Sequence, residues 1–97
     1  MKNFYSDYIQ HCMRFYARYP HPKFRTDADK QNWEACDHAL KSFDKEEREM
    51  LLTIYREGDT IADNVYKMSL DMSIKQDSIW KLLHELERKI AKRRGLL

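Results

Sequence analysis

Glycine and proline are scarce, two of each in 97 residues, which excludes collagen-like and linker-type compositions. Cysteine is equally rare. Cys12 and Cys36 are too few for a disulfide framework and read as free thiols. No apolar run approaches the roughly 20 residues that cross a bilayer, and residues 1–8 lack the apolar core of a signal peptide. A soluble, cytoplasmic protein with no membrane partner is therefore expected. Also missing are an alternating strand pattern, an internal repeat and a low-complexity tract. A Gly-rich phosphate loop, a nucleophile elbow and a His-Glu-x-x-His run are absent too, so neither an enzyme nor a cofactor is expected. What is present is 42% hydrophobic and 35% charged residues in less than one typical domain length. That balance points to a single, compact, all-α domain.

The net charge of +2 conceals an asymmetry. Residues 1–26 carry five Lys/Arg against Asp7 alone, a surplus of +4, and residues 67–97 carry eight against four, again +4. Residues 27–66 hold five against eleven acids, or −6. Basic ends around an acidic middle invite a polyanionic partner, although Lys and Arg also gather at helix C-termini for dipole reasons.

Apolar spacing predicts five helices. Over residues 3–18, Tyr5, Tyr8, Ile9, Cys12 and Tyr16 recur at three- and four-residue steps, widened by Phe4 and Phe15. Pro20-His21-Pro22 ends this helix. Thr26 then caps a second, with Asp29 at the capping-box position and Trp33, Cys36, Leu40 and Phe43 on one face, running to about Ser42. Asp44 and Glu47 start a third, with Met50, Leu51, Ile54 and Tyr55 as its stripe and Gly58 closing it. Thr60 opens a fourth, whose face is Ile61, Val65, Met68 and Met72. The fifth starts near residues 73–75 and runs to about Arg94, burying Ile79, Leu82, Leu83, Leu86 and Ile90.

Residues 65–84 fit the offsets of a helix-turn-helix, in which two helices cross steeply so that one enters the major groove. Val65 and Met68 supply the supporting face, Ser69 is the small residue at the close approach, Ile74 plugs the turn, and Ile79 with Leu82 or Leu83 anchors the second helix. Ser73 stands where the turn usually has Gly, and left-handed backbone is costlier for Ser. Upstream, Asp44-Lys45-Glu46-Glu47-Arg48-Glu49-Met50-Leu51-Leu52 is an acidic helix start followed by an apolar helix. Downstream, Ser73-Ile74-Lys75-Gln76-Asp77-Ser78-Ile79 would form the turn and the start of a recognition helix. On these residues the stretch 43–90, about half the chain, resembles region four of bacterial sigma factors and related regulators of phages and mobile elements. The resemblance implies duplex DNA as partner, with Lys75, Gln76, Ser78 and Lys81 as candidates for base or nearby phosphate contact. RNA polymerase or another protein is a second candidate partner.

The last helix carries a further pattern independent of that resemblance. At about 100° per residue from Ile79, Asp77, Lys81, His84, Arg88 and Lys92 fall between about 140° and 220°, opposite the buried stripe. Lys81 to Lys92 spans roughly 16 Å, enough to follow several phosphates. Arg88, Lys89, Lys92, Arg93 and Arg94 add a basic cluster, which serves phosphate contact, the helix dipole or both. Trp80, at about 100°, is read as packing against another helix.

Metal and catalytic readings are weak by spacing. His11-Cys12 and Cys36-Asp37-His38 place neighbouring ligands on diverging sides of a helix, so no metal site is expected there or at His21. Glu46, Glu47 and Glu49 sit in a capping first turn as dipole partners. The aromatic face of the first helix is read as core closing over Trp33 and Phe43, with a homodimer contact as the alternative. The expectation is thus an N-terminal helical pair (1–42) and a C-terminal three-helix unit (43–97) containing a helix-turn-helix. It would be a small DNA-binding regulator contacting DNA through Lys75, Gln76, Ser78, Lys81, His84, Arg88 and Lys92. The rival class is a helical interaction module that modulates a polymerase or another nucleic-acid enzyme, as anti-defence proteins do, with the acidic middle mimicking nucleic acid.

Overall fold

The computed structural model describes residues 5–20 and 22–97. Among them are five α-helices and no strand: α1 Ser6–Arg18, α2 Asp27–Leu40, α3 Lys45–Arg56, α4 Ile61–Met72 and α5 Gln76–Arg93. Asn3 and Phe4, assigned above to the first helix, and His21 lie outside the described residues.

Three helix starts have the anticipated chemistry, because a side-chain oxygen takes up an otherwise orphaned amide of the first turn. The Thr26 hydroxyl accepts from the Asp29 amide at 3.1 Å, and that of Thr60 accepts from the Asp63 amide at 3.1 Å. Asp44 and Glu47 form a reciprocal capping box, at 2.8 Å and 3.1 Å. Helix α5 starts without a side-chain cap at Lys75. It is joined to α4 by residues 73–75, in which Ser73 is left-handed at φ 54°, ψ 44°. Ser69 clamps this connection. Its hydroxyl donates to the Ile74 carbonyl at 2.5 Å, its carbonyl accepts the Ile74 amide at 3.1 Å, and the Ile74 side chain packs half-buried on the core.

Helix ends depart more from expectation. Gly58 does not close α3, which ends at Arg56 with Glu57 extended, and Gly58 has no positive φ. The reason is that the last carbonyls are satisfied from other helices. Asn64 of α4 donates to the Ile54 carbonyl at 2.8 Å, Arg14 of α1 to Tyr55 at 3.2 Å and Glu57 at 2.6 Å, and Arg18 to Arg56 at 3.1 Å. A glycine-based turn is then unnecessary. Such a turn does finish α5. Gly95 has φ 73°, its amide bonds Lys92 at 3.2 Å, and the Leu96 amide bonds Ala91 at 2.8 Å.

All five helices feed one continuous core. Helix α1 packs on α2, α3 and α5, α2 on α5, and α4 on both α3 and α5. Met50, Leu51, Ile54 and Tyr55 of α3 are buried as anticipated, as are Ile79, Leu83, Leu86 and Ile90 of α5, while Leu82 is half-buried. The contact face of α1 is narrower than its aromatic stripe. Tyr5, Ile9, Cys12 and Met13 are buried, whereas Tyr8 (45% exposed) and Phe15 (37%) face outward. A helix offers a limited arc to its neighbours, and Met13 with Ile9 fills that arc here. Ala35 and Ala39 similarly bring α2 close to the core while Trp33 is only half-buried. On α4, Met68 is half-buried and Met72, in the last turn, is 41% exposed rather than part of the buried face.

One carboxylate lies within this core. Glu87 of α5, 4% exposed, accepts from the Ser6 hydroxyl at 2.8 Å, the Tyr55 hydroxyl at 2.9 Å and the Gln10 amide at 3.5 Å. Burial, then the neighbouring Glu87 charge, pushes the Tyr55 hydroxyl pKa well above the tyrosine range. The Tyr55 proton is therefore retained as the donor that Glu87 needs, and α1, α3 and α5 meet at one polar point.

Candidate nucleic-acid interface

Helix α5 is amphipathic, and packing of Ile79, Leu83, Leu86 and Ile90 turns the opposite side outward. Lys75, Gln76, Ser78, Lys81, His84, Arg88 and Lys92 are all exposed. Lys81, His84, Arg88 and Lys92 share one row along the helix. Gln76 and Ser78 do not join it: at about 60° and 260° from Ile79 they sit on opposite shoulders of the first turn. Asp77 occupies the N-terminal end of the row, where the helix dipole favours a carboxylate. His84 lies against the half-buried Trp80, ring centroids 5.9 Å apart, and Trp80 packs on the core as anticipated.

Basic charge near the C-terminus divides into two kinds. Lys89 is held inward: it donates to the Ser42 hydroxyl at 2.8 Å, pairs with Glu85 at 3.4 Å and stands 4.8 Å over the Phe43 ring. Arg94 donates to Asn32 at 2.7 Å and Gln31 at 2.8 Å, tying the end of α5 to α2. Lys67 of α4 is paired with Asp59, which raises the lysine pKa and lowers that of the carboxyl. Lys75, Lys81, Arg88, Lys92 and Arg93 have no partner among the described residues. They are free to meet an external anion. Arg93 belongs to the basic cluster read from the sequence but stands off the row.

Two other features escaped the sequence reading. Tyr66 (53% exposed) and Leu70 (62%) form an i,i+4 apolar strip on α4. The signal was available, because both lie off the Ile61–Val65 face. Arg14 and Arg18 were counted only as surplus charge at the N-terminal end, whereas they cap α3. Nothing in helical periodicity reveals that.

Both cysteines are buried and free, and burial raises both thiol pKa values. Among the described residues, no three His, Cys, Asp or Glu side chains come together in a way that holds a metal ion. No described helix is long and apolar enough to cross a membrane. No family model, curated protein or solved structure matches the chain.

Proposed function

We propose that the protein binds duplex DNA through α5 and acts as a small transcription regulator of the kind carried by phages and mobile elements. The observation that carries this reading is the row Lys81, His84, Arg88 and Lys92, exposed on a helix whose partnered cations have been drawn elsewhere. Supporting it, a three-residue connection with a left-handed Ser73 sets α5 against α4, and α3 braces both. This is the order of parts in a helix-turn-helix, where the second helix enters the major groove by its N-terminal residues. Gln76, Ser78 and Lys75 would then meet base edges or nearby phosphates, and the row would follow the backbone.

Binding to random duplex across a salt series tests the reading. If two to five phosphates are neutralised, log affinity falls against log salt with a slope of about −2 to −5. Salt-independent affinity, or none at low salt, removes the proposal. Gln76→Ala is expected to relax site discrimination by about 1–3 kcal/mol if the amide pairs with adenine. Arg88→Ala weakens all sequences alike. The Tyr66–Leu70 strip favours a second reading, a protein-interaction module contacting a polymerase or another nucleic-acid enzyme. Tyr66→Glu with Leu70→Glu would abolish that activity while leaving the salt slope intact.

A further inference from the structure

A cleft of about 540 Å³ opens between the C-terminal half of α1, the start of α2 and Tyr19, Pro22, Lys23 and Arg25 of their connection; no residue of the exposed α5 row lines it, although Asn32 in its wall accepts from Arg94 at the end of α5. Its volume is in the range of small-ligand sites, about 300–1,000 Å³. Phe15 and Tyr19 form one wall, with ring centroids 5.1 Å apart. Trp33 also lines the cleft, held by Tyr16 at 5.1 Å and edge-on by Phe24 at 6.0 Å. These rings are not a sealed core, for Tyr19 is 55% and Phe15 37% exposed.

The polar groups give the cleft a character. Lys23 and Arg25 stand at it, exposed and without an acidic partner among the described residues. The side chain of Asp29 lines it with no bond to the described residues, its backbone amide alone being used by Thr26. The buried indole N–H of Trp33 has no acceptor. A purely apolar ligand would leave two cations and a carboxylate unused. An acidic peptide would meet Lys23 and Arg25 but be repelled by Asp29. A planar ring suits the walls, an amino group on its edge suits Asp29, and an attached phosphate suits Lys23 and Arg25.

We propose that this cleft binds a nucleotide, its amino-bearing base stacked on the rings of Phe15, Tyr19 and Trp33 and its phosphate held by Lys23 and Arg25. The nucleotide is either free or one unit of a single strand. The site is separate from the duplex surface on α5 and does not depend on it.

The test uses the full chain carrying Trp80→Phe, so that Trp33 is the sole tryptophan. Its emission is followed against AMP, TMP, the single strands (dA)12 and (dT)12, and a decaglutamate peptide. Stacking predicts saturable quenching by an adenine ligand, with thymine, which lacks an amino group, binding several-fold more weakly. Saturation by AMP alone identifies a free nucleotide; saturation by (dA)12 but not AMP identifies a strand. Lys23→Ala with Arg25→Ala, both surface changes that leave the helices intact, weakens binding about tenfold. Asp29→Ala, which removes the acceptor, erases the preference for adenine over thymine. Arg88→Ala leaves the quenching unchanged, so failure of the duplex proposal and failure of this one are read separately. No quenching by either adenine ligand, quenching equally strong with decaglutamate, or binding indifferent to the Lys23/Arg25 pair would overturn the site.

Discussion

Residues 1–26 and residues 67–97 carry the same surplus of four positive charges, yet among the described residues the first leaves Lys23 and Arg25 without a partner where the second leaves Lys75, Lys81, Arg88, Lys92 and Arg93. At the N-terminal end, Arg14 and Arg18 point inward, donating to the carbonyls of Tyr55, Arg56, Glu57 and Asp59 that finish α3 and begin the next connection. Their charge answers the negative end of a helix dipole, and their hydrogen-bonding capacity is consumed by the fold. At the C-terminal end, Lys89 and Arg94 are likewise drawn inward, while Lys81, Arg88 and Lys92 remain free along one side of α5. Equal segment charge therefore means unequal available charge. A polyanion meets the cations the fold has not already used.

The largest effect expected concerns the polar point where the two regions are fastened. Glu87→Ala removes the acceptor of the Ser6, Tyr55 and Gln10 donors and should cost about 3–5 kcal/mol of stability by denaturant unfolding. A loss below about 1 kcal/mol would show that the Glu87 cluster does not fasten α1 to α5. Next comes Arg14→Ala, expected to cost about 2 kcal/mol while leaving duplex affinity and its salt slope unchanged. A shallower slope instead would place Arg14 among the DNA contacts and erase the contrast between the two ends. Arg18→Ala should behave alike at about 1 kcal/mol, its guanidinium being more exposed.

Alkaline titration examines the same fastening without mutation. The folded-state pKa of Tyr55 is raised above its unfolded value near 10, so the native state holds this proton more tightly. Its contribution is complete below about pH 10 and declines as pH rises from there toward the folded value. Tyr55→Phe should flatten that part of the decline, and an unaltered profile would move the alkaline sensitivity elsewhere, Tyr16 being the next raised hydroxyl. The smallest stability effect belongs to Arg88→Ala, within about 0.5 kcal/mol, although the duplex salt slope should become shallower by about one.

Much of the scaffold was legible because its determinants are local. Thr26, Thr60 and the Asp44/Glu47 box lie within three residues of the amides they cap, and Leu51, Ile54, Ile79 and Leu83 repeat at helical spacing. Ser73 could be singled out because a short connection between α4 and α5 needs a left-handed residue, and Ser69 because a small side chain was required beside it. What escaped was non-local. Arg14 reads as a surface charge until folding brings it to Tyr55, and Glu87 reads as one more acid on a charged helix until Ser6 and Tyr55 arrive. The exposure of Tyr8 and Phe15 escaped for another reason: hydrophobicity marks which residues gain from burial, not how wide an arc the neighbours cover. The exposure of the basic row followed from the periodicity of α5; the inward capture of Lys89 and Arg94 did not, since their partners lie on and just after α2.

The bond between Ser6 and Glu87 joins residues 81 positions apart, and it sets an order of events during synthesis. At about 5–20 residues per second, α1 leaves the peptidyl-transferase centre several seconds before Glu87 is made. Throughout that interval Tyr5, Ile9 and Met13 have no α5 to pack on, and the Ser6 hydroxyl lacks its Glu87 acceptor. The nascent chain therefore carries an adhesive N-terminal helix until its last helix is complete. A stalled ribosome that stops before α5 would release a fragment predisposed to aggregate or to recruit a chaperone.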